Sequence, residues 1–260
     1  MNEDKLQPGK VSLYLRSSVF WIVFAFLILI FTTLLVLSFP FPPEKRFVVT
    51  RAWSRSVLWW LQLTCNLGYE IKGTENVPDK PGIVFSKHQS TWETVTLNFW
   101  FTPQSWVIKR ELMWIPFFGW GAYMMQPIAL NRGAGRKAVD QLVEQGRDRL
   151  QKGFWIIIFP EGTRVAPGER GHYRVGGAAL AVRTGVSITP VAHNAGEYWP
   201  RRSFVKRPGV IQVRIGPPID TRNKNAQQIL AAAEDWIEST MARITTLEHH
   251  QHGAGAKRRT

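Results

Sequence analysis

Phe154-Trp155-Ile156-Ile157-Ile158-Phe159-Pro160-Glu161-Gly162-Thr163-Arg164 is the stretch from which the fold of this chain reads outward. An apolar run rich in β-branched and aromatic residues has the composition and length of a strand. Pro160 and Gly162 end it in a tight turn, glycine being free to adopt backbone angles closed to other residues. Shorter runs of the same kind lie at 69–72, 82–86, 106–108, 187–192 and 210–215. Helical patterns occupy 91–101, 136–151, 176–184 and 226–246. Strands interleaved with helices predict an α/β domain with a largely parallel sheet.

The chain has 260 residues, 45% of them hydrophobic and 20% charged, enough to bury a core and too apolar for a disordered protein. Its lone cysteine, Cys65, excludes an intramolecular disulfide framework and a Cys-rich zinc site. A formal charge of +14 favours anionic partners. The basic residues are dispersed and accompany no recognised nucleic-acid motif, so nucleic acid is not an expected partner.

Upstream of the α/β pattern the chain changes character. No charge occurs between Arg16 and Glu44, and residues 19–39 are almost continuously apolar. As a helix at about 1.5 Å per residue, that run is roughly 32 Å long, enough to cross a hydrocarbon core. It exceeds the apolar region of a signal peptide, and Phe39-Pro40-Phe41-Pro42-Pro43 stands where cleavage would need small residues. An uncleaved anchor is expected, spanning or re-entrant. Lys5, Lys10 and Arg16 precede it, and Lys45, Arg46, Arg51 and Arg55 follow. This slight downstream excess predicts an inner or cytoplasmic membrane protein with its C-terminal domain on the cytoplasmic side. A second apolar segment, 53–67, is short for a crossing and reads as an interfacial helix. Eight of the twelve tryptophans fall between Trp53 and Trp120, which turns this half towards lipid headgroups unless they pack in the core. The expected division is an anchor and interfacial helix over 1–66, an α/β domain over 67–248 and a disordered basic tail over 249–260.

Three stations carry chemistry. The strand at 82–86 runs into Lys87-His88-Gln89-Ser90-Thr91-Trp92-Glu93, which puts His88 at a C-terminal strand edge, where α/β folds bind ligands. On a continuous helix, His88 and Glu93 would lie on different faces. With His88 in the turn ahead of the helix, Glu93 can reach back and fix the imidazole tautomer. Ser90-x-x-Glu93 is equally a capping box, in which Glu93 merely closes the helix start. After the strand at 154–159, Arg164 offers a planar fork to phosphate oxygens, and Glu161 either orients that arginine or hydrogen-bonds a substrate hydroxyl. Lys109 ends the strand at 106–108 ahead of an aromatic stretch, and Arg132 follows another short apolar run. Each basic residue is a candidate phosphate contact, with a solvated face as the plain alternative. The histidines form no convincing ligand cluster, so no metal is expected.

Taken in order, these stations resemble the glycerolipid acyltransferases, and among them the 1-acyl-sn-glycerol-3-phosphate acyltransferases. His88 and Glu93 match the family's His-x4-acidic block. Lys109, Ile115-Pro116-Phe117-Phe118-Gly119 and Arg132 match its second region. Phe159-Pro160-Glu161-Gly162-Thr163-Arg164 is the complete third block, and Ile188-Thr189-Pro190-Val191 looks like the fourth. The resemblance covers about residues 69–219 and implies a mixed, largely parallel sheet flanked by helices, with an N-terminal membrane helix region. Glu93 stands where the family usually has Asp, keeping the charge and adding a methylene.

The resemblance implies transfer of a fatty acyl group from acyl-CoA or acyl carrier protein to the sn-2 hydroxyl of lysophosphatidic acid, giving phosphatidic acid in phospholipid biosynthesis. On that reading His88 takes the proton of the attacking alcohol and Glu93 orients it. Lys109, Arg132 and Arg164 hold the phosphate, while Glu161, Gly162, Thr163 and Pro190 complete the blocks. The thioester is already activated, so no acyl-enzyme is expected, and the donor is a substrate rather than a bound cofactor. Two competing readings are a sibling lysophospholipid acyltransferase or remodelling enzyme, and a non-catalytic membrane protein that binds anionic lipid.

Overall fold

Seven strands form one sheet in the computed structural model, which describes residues 9–247. They are β1 (Leu67–Lys72), β2 (Ile83–Ser86), β3 (Gln104–Lys109), β4 (Ile128–Leu130), β5 (Trp155–Ile158), β6 (Ile188–His193) and β7 (Gly209–Ile215). Their spatial order is β1-β7-β6-β2-β5-β3-β4, and every pairing is parallel except the antiparallel β6–β7. The predicted mixed, largely parallel sheet is therefore present. Helices α1 (Lys10–Leu37), α2 (Pro43–Cys65) and α3 (Trp92–Thr96) are followed by α4 (Phe118–Met124) and α5 (Arg136–Gln151). The remaining helices are α6 (Gly176–Thr184), α7 (Ala195–Tyr198) and α8 (Ala226–Ile244).

Alternate residues of the central strands feed two cores. Val84, Trp155 and Ile157 pack with α1, α2 and α3, whereas Ile83, Phe85, Ile156 and Ile158 pack with α5, α6 and α8. A strand covered on both faces needs apolar residues at every position, which is why 154–159 reads as an unbroken run.

Helix α1 is long and apolar enough to cross a membrane. It nevertheless lies along the domain. Lys206 N–H donates to Ser17 Oγ at 2.9 Å, and Trp21 Nε1 donates to the Phe204 carbonyl at 2.9 Å. Phe20 and Phe24 meet Trp199 edge-to-face at 5.3 and 6.1 Å. Further along, Thr32 is the neighbour that a Cβ on Gly121 would touch. The outer side of α1, with Ile22, Phe26, Leu29 and Ile30, is exposed.

The interfacial segment expected at 53–67 is the second half of a longer helix. Helix α2 starts at Pro43, a residue suited to a first helical position because its missing N–H would be unpaired there anyway. It buries Phe47, Thr50, Ser54, Val57, Leu61 and Cys65, a stripe at helical spacing. Arg51 and Arg55 face outward. Arg46 closes the α1–α2 turn by donating to the carbonyls of Phe39, Phe41 and Met124. Both helices share one core with the sheet.

Other local expectations shift. The helix expected over 91–101 ends as α3 at Thr96 and continues as a single 3-10 turn, Leu97–Phe99. The hydroxyls of Thr94, Thr96 and Thr102 donate to carbonyls three or four residues earlier, competition that disfavours regular helix. Strand β4 and helix α4 form in stretches read from sequence only as a short apolar run and an aromatic segment. The tryptophans divide, Trp92 being buried while Trp59, Trp114 and Trp120 are exposed. Lys5 and the tail at 249–260 lie outside the described residues.

Candidate active site

Strand order brings the stations together. β2, β5, β3 and β4 are parallel neighbours, so the segments leaving their C-terminal ends share one edge of the sheet. His88 follows β2, Glu161–Arg164 follow β5, Lys109 ends β3 and Arg132 follows β4. A cavity of about 720 Å³ opens there, with His88, Lys109, Thr163 and Arg164 in its wall. Its lining is largely apolar and includes Phe24 and Ile28 of α1, Trp53 of α2 and Trp106 of β3.

His88 sits in the turn ahead of α3, and Glu93 in the first turn of that helix reaches back to it. His88 Nδ1 and Glu93 Oε1 are 2.8 Å apart. The same carboxylate oxygen accepts the backbone N–H groups of Gln89 and Ser90 at 3.0 and 2.9 Å. Glu93 therefore closes the helix start and holds the imidazole with one atom. Burial pushes its carboxyl up, but the hydrogen bond and charge of the His88 ring and the Ser90 N–H oppose this and hold it below the usual glutamate range. A carboxylate beside His88 Nδ1 selects the tautomer with the proton on that nitrogen. The ring lies flat on Phe159, centroids 3.8 Å apart and 12° from parallel. Nε2 is its one nitrogen without a protein partner among the described residues.

Beneath Glu93 lies a second histidine that sequence reading passed over. His193, the last residue of β6, is fully buried, with Nε2 at 3.9 Å from Glu93 Oε2. That nitrogen bonds the Lys87 carbonyl at 2.8 Å, and Nδ1 accepts the Ala195 N–H at 3.3 Å. Burial pulls its pKa down, which fits the neutral ring these two bonds require.

The third block divides its tasks differently from the sequence expectation. Glu161 neither orients Arg164 nor faces a substrate hydroxyl. It is buried, with Oε2 accepting the His88 N–H at 2.9 Å and Oε1 2.7 Å from Lys87 Nζ. The turn folds it back under β2 because Gly162 takes φ +68 and donates its N–H to the Phe159 carbonyl. Arg164 does line the cavity, and its buried Nε has no hydrogen-bond partner among the described residues. Arg201, also in the cavity wall, donates to Thr163 Oγ1 at 3.4 Å and to the Arg164 carbonyl at 3.2 Å. No local pattern marks Arg201, because a loop after α7 delivers it from a distant part of the chain. Lys109 is exposed at the rim, and the Arg132 side chain lies outside the described residues. Pro190 is buried in β6 opposite Phe85 and accepts the Gly216 N–H at 2.8 Å, a place in the sheet rather than in the cavity.

A histidine–carboxylate pair facing an apolar cavity with arginines beside it suits acyl transfer to a phosphate-bearing acceptor. Comparison with known proteins agrees. A family model described as Acyltransferase matches residues 68–194. A 1-acyl-sn-glycerol-3-phosphate acyltransferase of Pseudomonas aeruginosa is 45% identical over 212 residues, 80% of this chain and 82% of that protein. The chloroplastic 1-acyl-sn-glycerol-3-phosphate acyltransferase LPAT1 of Arabidopsis thaliana is 33% identical over 57% of this chain, which spans only 43% of that relative. In three dimensions, the 1-acyl-sn-glycerophosphate (LPA) acyltransferase PlsC from Thermotoga maritima superposes with a TM-score of 0.75. That match covers 92% of this chain and 98% of the other at 22% identity, a likeness of fold. The chain belongs to the acyltransferase family that includes the 1-acyl-sn-glycerol-3-phosphate acyltransferases. It is an acyltransferase, and the resemblance carried by its sequence blocks is borne out.

Proposed function

We propose that the protein acylates the sn-2 hydroxyl of 1-acyl-sn-glycerol-3-phosphate from acyl-CoA or acyl carrier protein, forming phosphatidic acid for phospholipid synthesis. The observation that carries this reading is the His88–Glu93 pair at 2.8 Å on the wall of a largely apolar cavity that also holds Arg164 and Arg201. The acceptor oxygen attacks the thioester carbonyl carbon while its proton passes to His88 Nε2. The C–S bond then breaks, and the proton leaves on the sulfur. Proton transfer by a positioned base of this kind is worth about 10²–10⁴-fold, and Glu93 stabilises the imidazolium that forms. Lys109, Arg164 and Arg201, with Arg132 on the strength of its motif, hold the phosphate and bring the hydroxyl to His88. The acyl chain lies in the apolar part of the cavity.

The membrane reading follows from the same surface. Exposed apolar residues of α1 and the aromatic group Trp114, Phe118 and Trp120 enter lipid, and Arg51 and Arg55 meet its headgroups. Contacts from Ser17 to Thr32 bind α1 along the domain, which favours a hairpin seated in one leaflet over a crossing. The deciding experiment measures labelled acyl transfer from both donors to lysophosphatidic acid in liposomes, with wild type beside His88→Ala. Product from wild type alone is expected. Near-normal turnover by His88→Ala removes His88 from the reaction.

A further inference from the structure

Lys87 is a charged residue for which acyl transfer, as described so far, has no use. It precedes His88, yet its side chain is 1% exposed and points away from the cavity into the domain. Its ammonium lies 2.7 Å from Glu161 Oε1 and 2.8 Å from Glu238 Oε1 on α8, and donates to the Glu169 carbonyl at 3.4 Å. Tyr173 OH donates to the same Glu238 oxygen at 2.8 Å. Such a cluster is a poor way to gain stability, since well-packed apolar residues in place of a buried ion triad are often neutral or stabilising.

What the cluster does is hold a backbone. Glu161 spends one oxygen on Lys87 and the other on the His88 N–H. The His88 carbonyl accepts the Val165 N–H at 2.8 Å, the Lys87 carbonyl bonds His193 Nε2, and the Lys87 N–H donates to Val191 at 3.0 Å. Glu161 packs closely over Gly171, where a Cβ would stand 2.9 Å from its Cγ and from Oε1. Burial works against ionisation of Glu161, and the adjacent ammonium works for it. We infer that Lys87, clamped between Glu161 and Glu238, is a positioning residue that sets the place of the His88 ring in the cavity and ties it to the C-terminal helix α8. This rests on His88 acting as the base.

Lys87→Met and a charge-free triple variant, Lys87→Met with Glu161→Gln and Glu238→Gln, are assayed for phosphatidic acid formation beside wild type and His88→Ala. The triple variant keeps hydrogen-bonding capacity at both carboxyl positions and leaves no unpaired charge in the cluster, so it stays folded if Lys87→Met alone does not. Expected for the triple variant is a kcat at least tenfold below wild type, with KM for lysophosphatidic acid within about threefold and melting within a few degrees. That split separates misplacement of the base from loss of folded protein. Wild-type kcat in the folded triple variant, with His88→Ala dead, overturns the inference and leaves the base intact. Activity in His88→Ala overturns both.

Discussion

Replacing Glu93 by glutamine removes a charge and almost nothing else. The amide oxygen can still accept the Gln89 and Ser90 N–H groups that now meet Oε1 at 3.0 and 2.9 Å, so the helix start keeps its closure. What disappears is the anionic partner 2.8 Å from His88 Nδ1, felt most when the ring becomes an imidazolium. Hydrogen bonds to charged groups are worth about 1.5–3 kcal/mol, and about 1.4 kcal/mol is a factor of ten in rate. The expected fall in kcat is therefore roughly 10- to 150-fold, with KM for lysophosphatidic acid within about threefold. Initial rates in liposomes at saturating donor measure it, with a melting curve as control. Glu93→Asp keeps the charge and should retain more activity than Glu93→Gln. Wild-type kcat in Glu93→Gln, or the reverse order of the two variants, refutes the electrostatic role and leaves helix closure as the residue's task. A pH series adds a second check. The carboxyl titrates below its usual value, so its stabilising share is complete above the unfolded glutamate range and is lost as pH falls through the folded value. The gap in melting temperature between wild type and Glu93→Gln should therefore be full above the ordinary glutamate range and close as pH falls below it.

Three further outcomes are expected. Arg164→Ala should raise KM for lysophosphatidic acid and matter less for acceptors without phosphate; equal losses for both would remove Arg164 from the clamp. Phe20 is fully buried against Trp199, so Phe20→Ala should cost about 3–5 kcal/mol in denaturant unfolding, whereas an unchanged midpoint would make α1 independent of the domain. Burial pulls the Lys206 ammonium down to about 8, in a cage where it lies 4.2 Å from the Trp21 ring centre and 4.9 Å from that of Trp199. Between that value and the ordinary lysine range near 10.5 the unfolded chain binds more protons, so this group adds stability as pH rises. Melting of Lys206→Met should therefore depend less on pH from about 8 to 10 than that of wild type, and parallel slopes would contradict the assignment.

Much of the fold was legible because its signals are local. The run at 154–159, the glycine turn after it and the helical period of α5 and α6 each depend on neighbours within a turn or two. The His88-to-Glu93 spacing left two readings open, and the structure holds both because one carboxylate oxygen serves the ring and the backbone together. Strand β4 was not legible, since three residues carry too little periodicity to separate a strand from a loop. Helix α1 was legible in its length and apolarity but not in its contacts. Its length and apolarity satisfy the requirement for a crossing, yet hydropathy does not register that Ser17, Phe20 and Trp21 have partners around Trp199 and Lys206.

The division follows the reach of the forces involved. By itself the sequence determined the alternation of strands and helices, the apolar helix near its start and the blocks that mark the family, because propensity, period and turn chemistry act over a few residues. Only the tertiary structure decided that Glu161 turns away from Arg164 to brace His88, that Arg201 joins Thr163, and that His193 supports the loop from below. Those meetings depend on β2 lying between β5 and β6, and on α7 returning the chain to the mouth of the cavity. Strand order is set by the burial of whole faces against one another, a property of the assembled core that no short stretch of sequence contains.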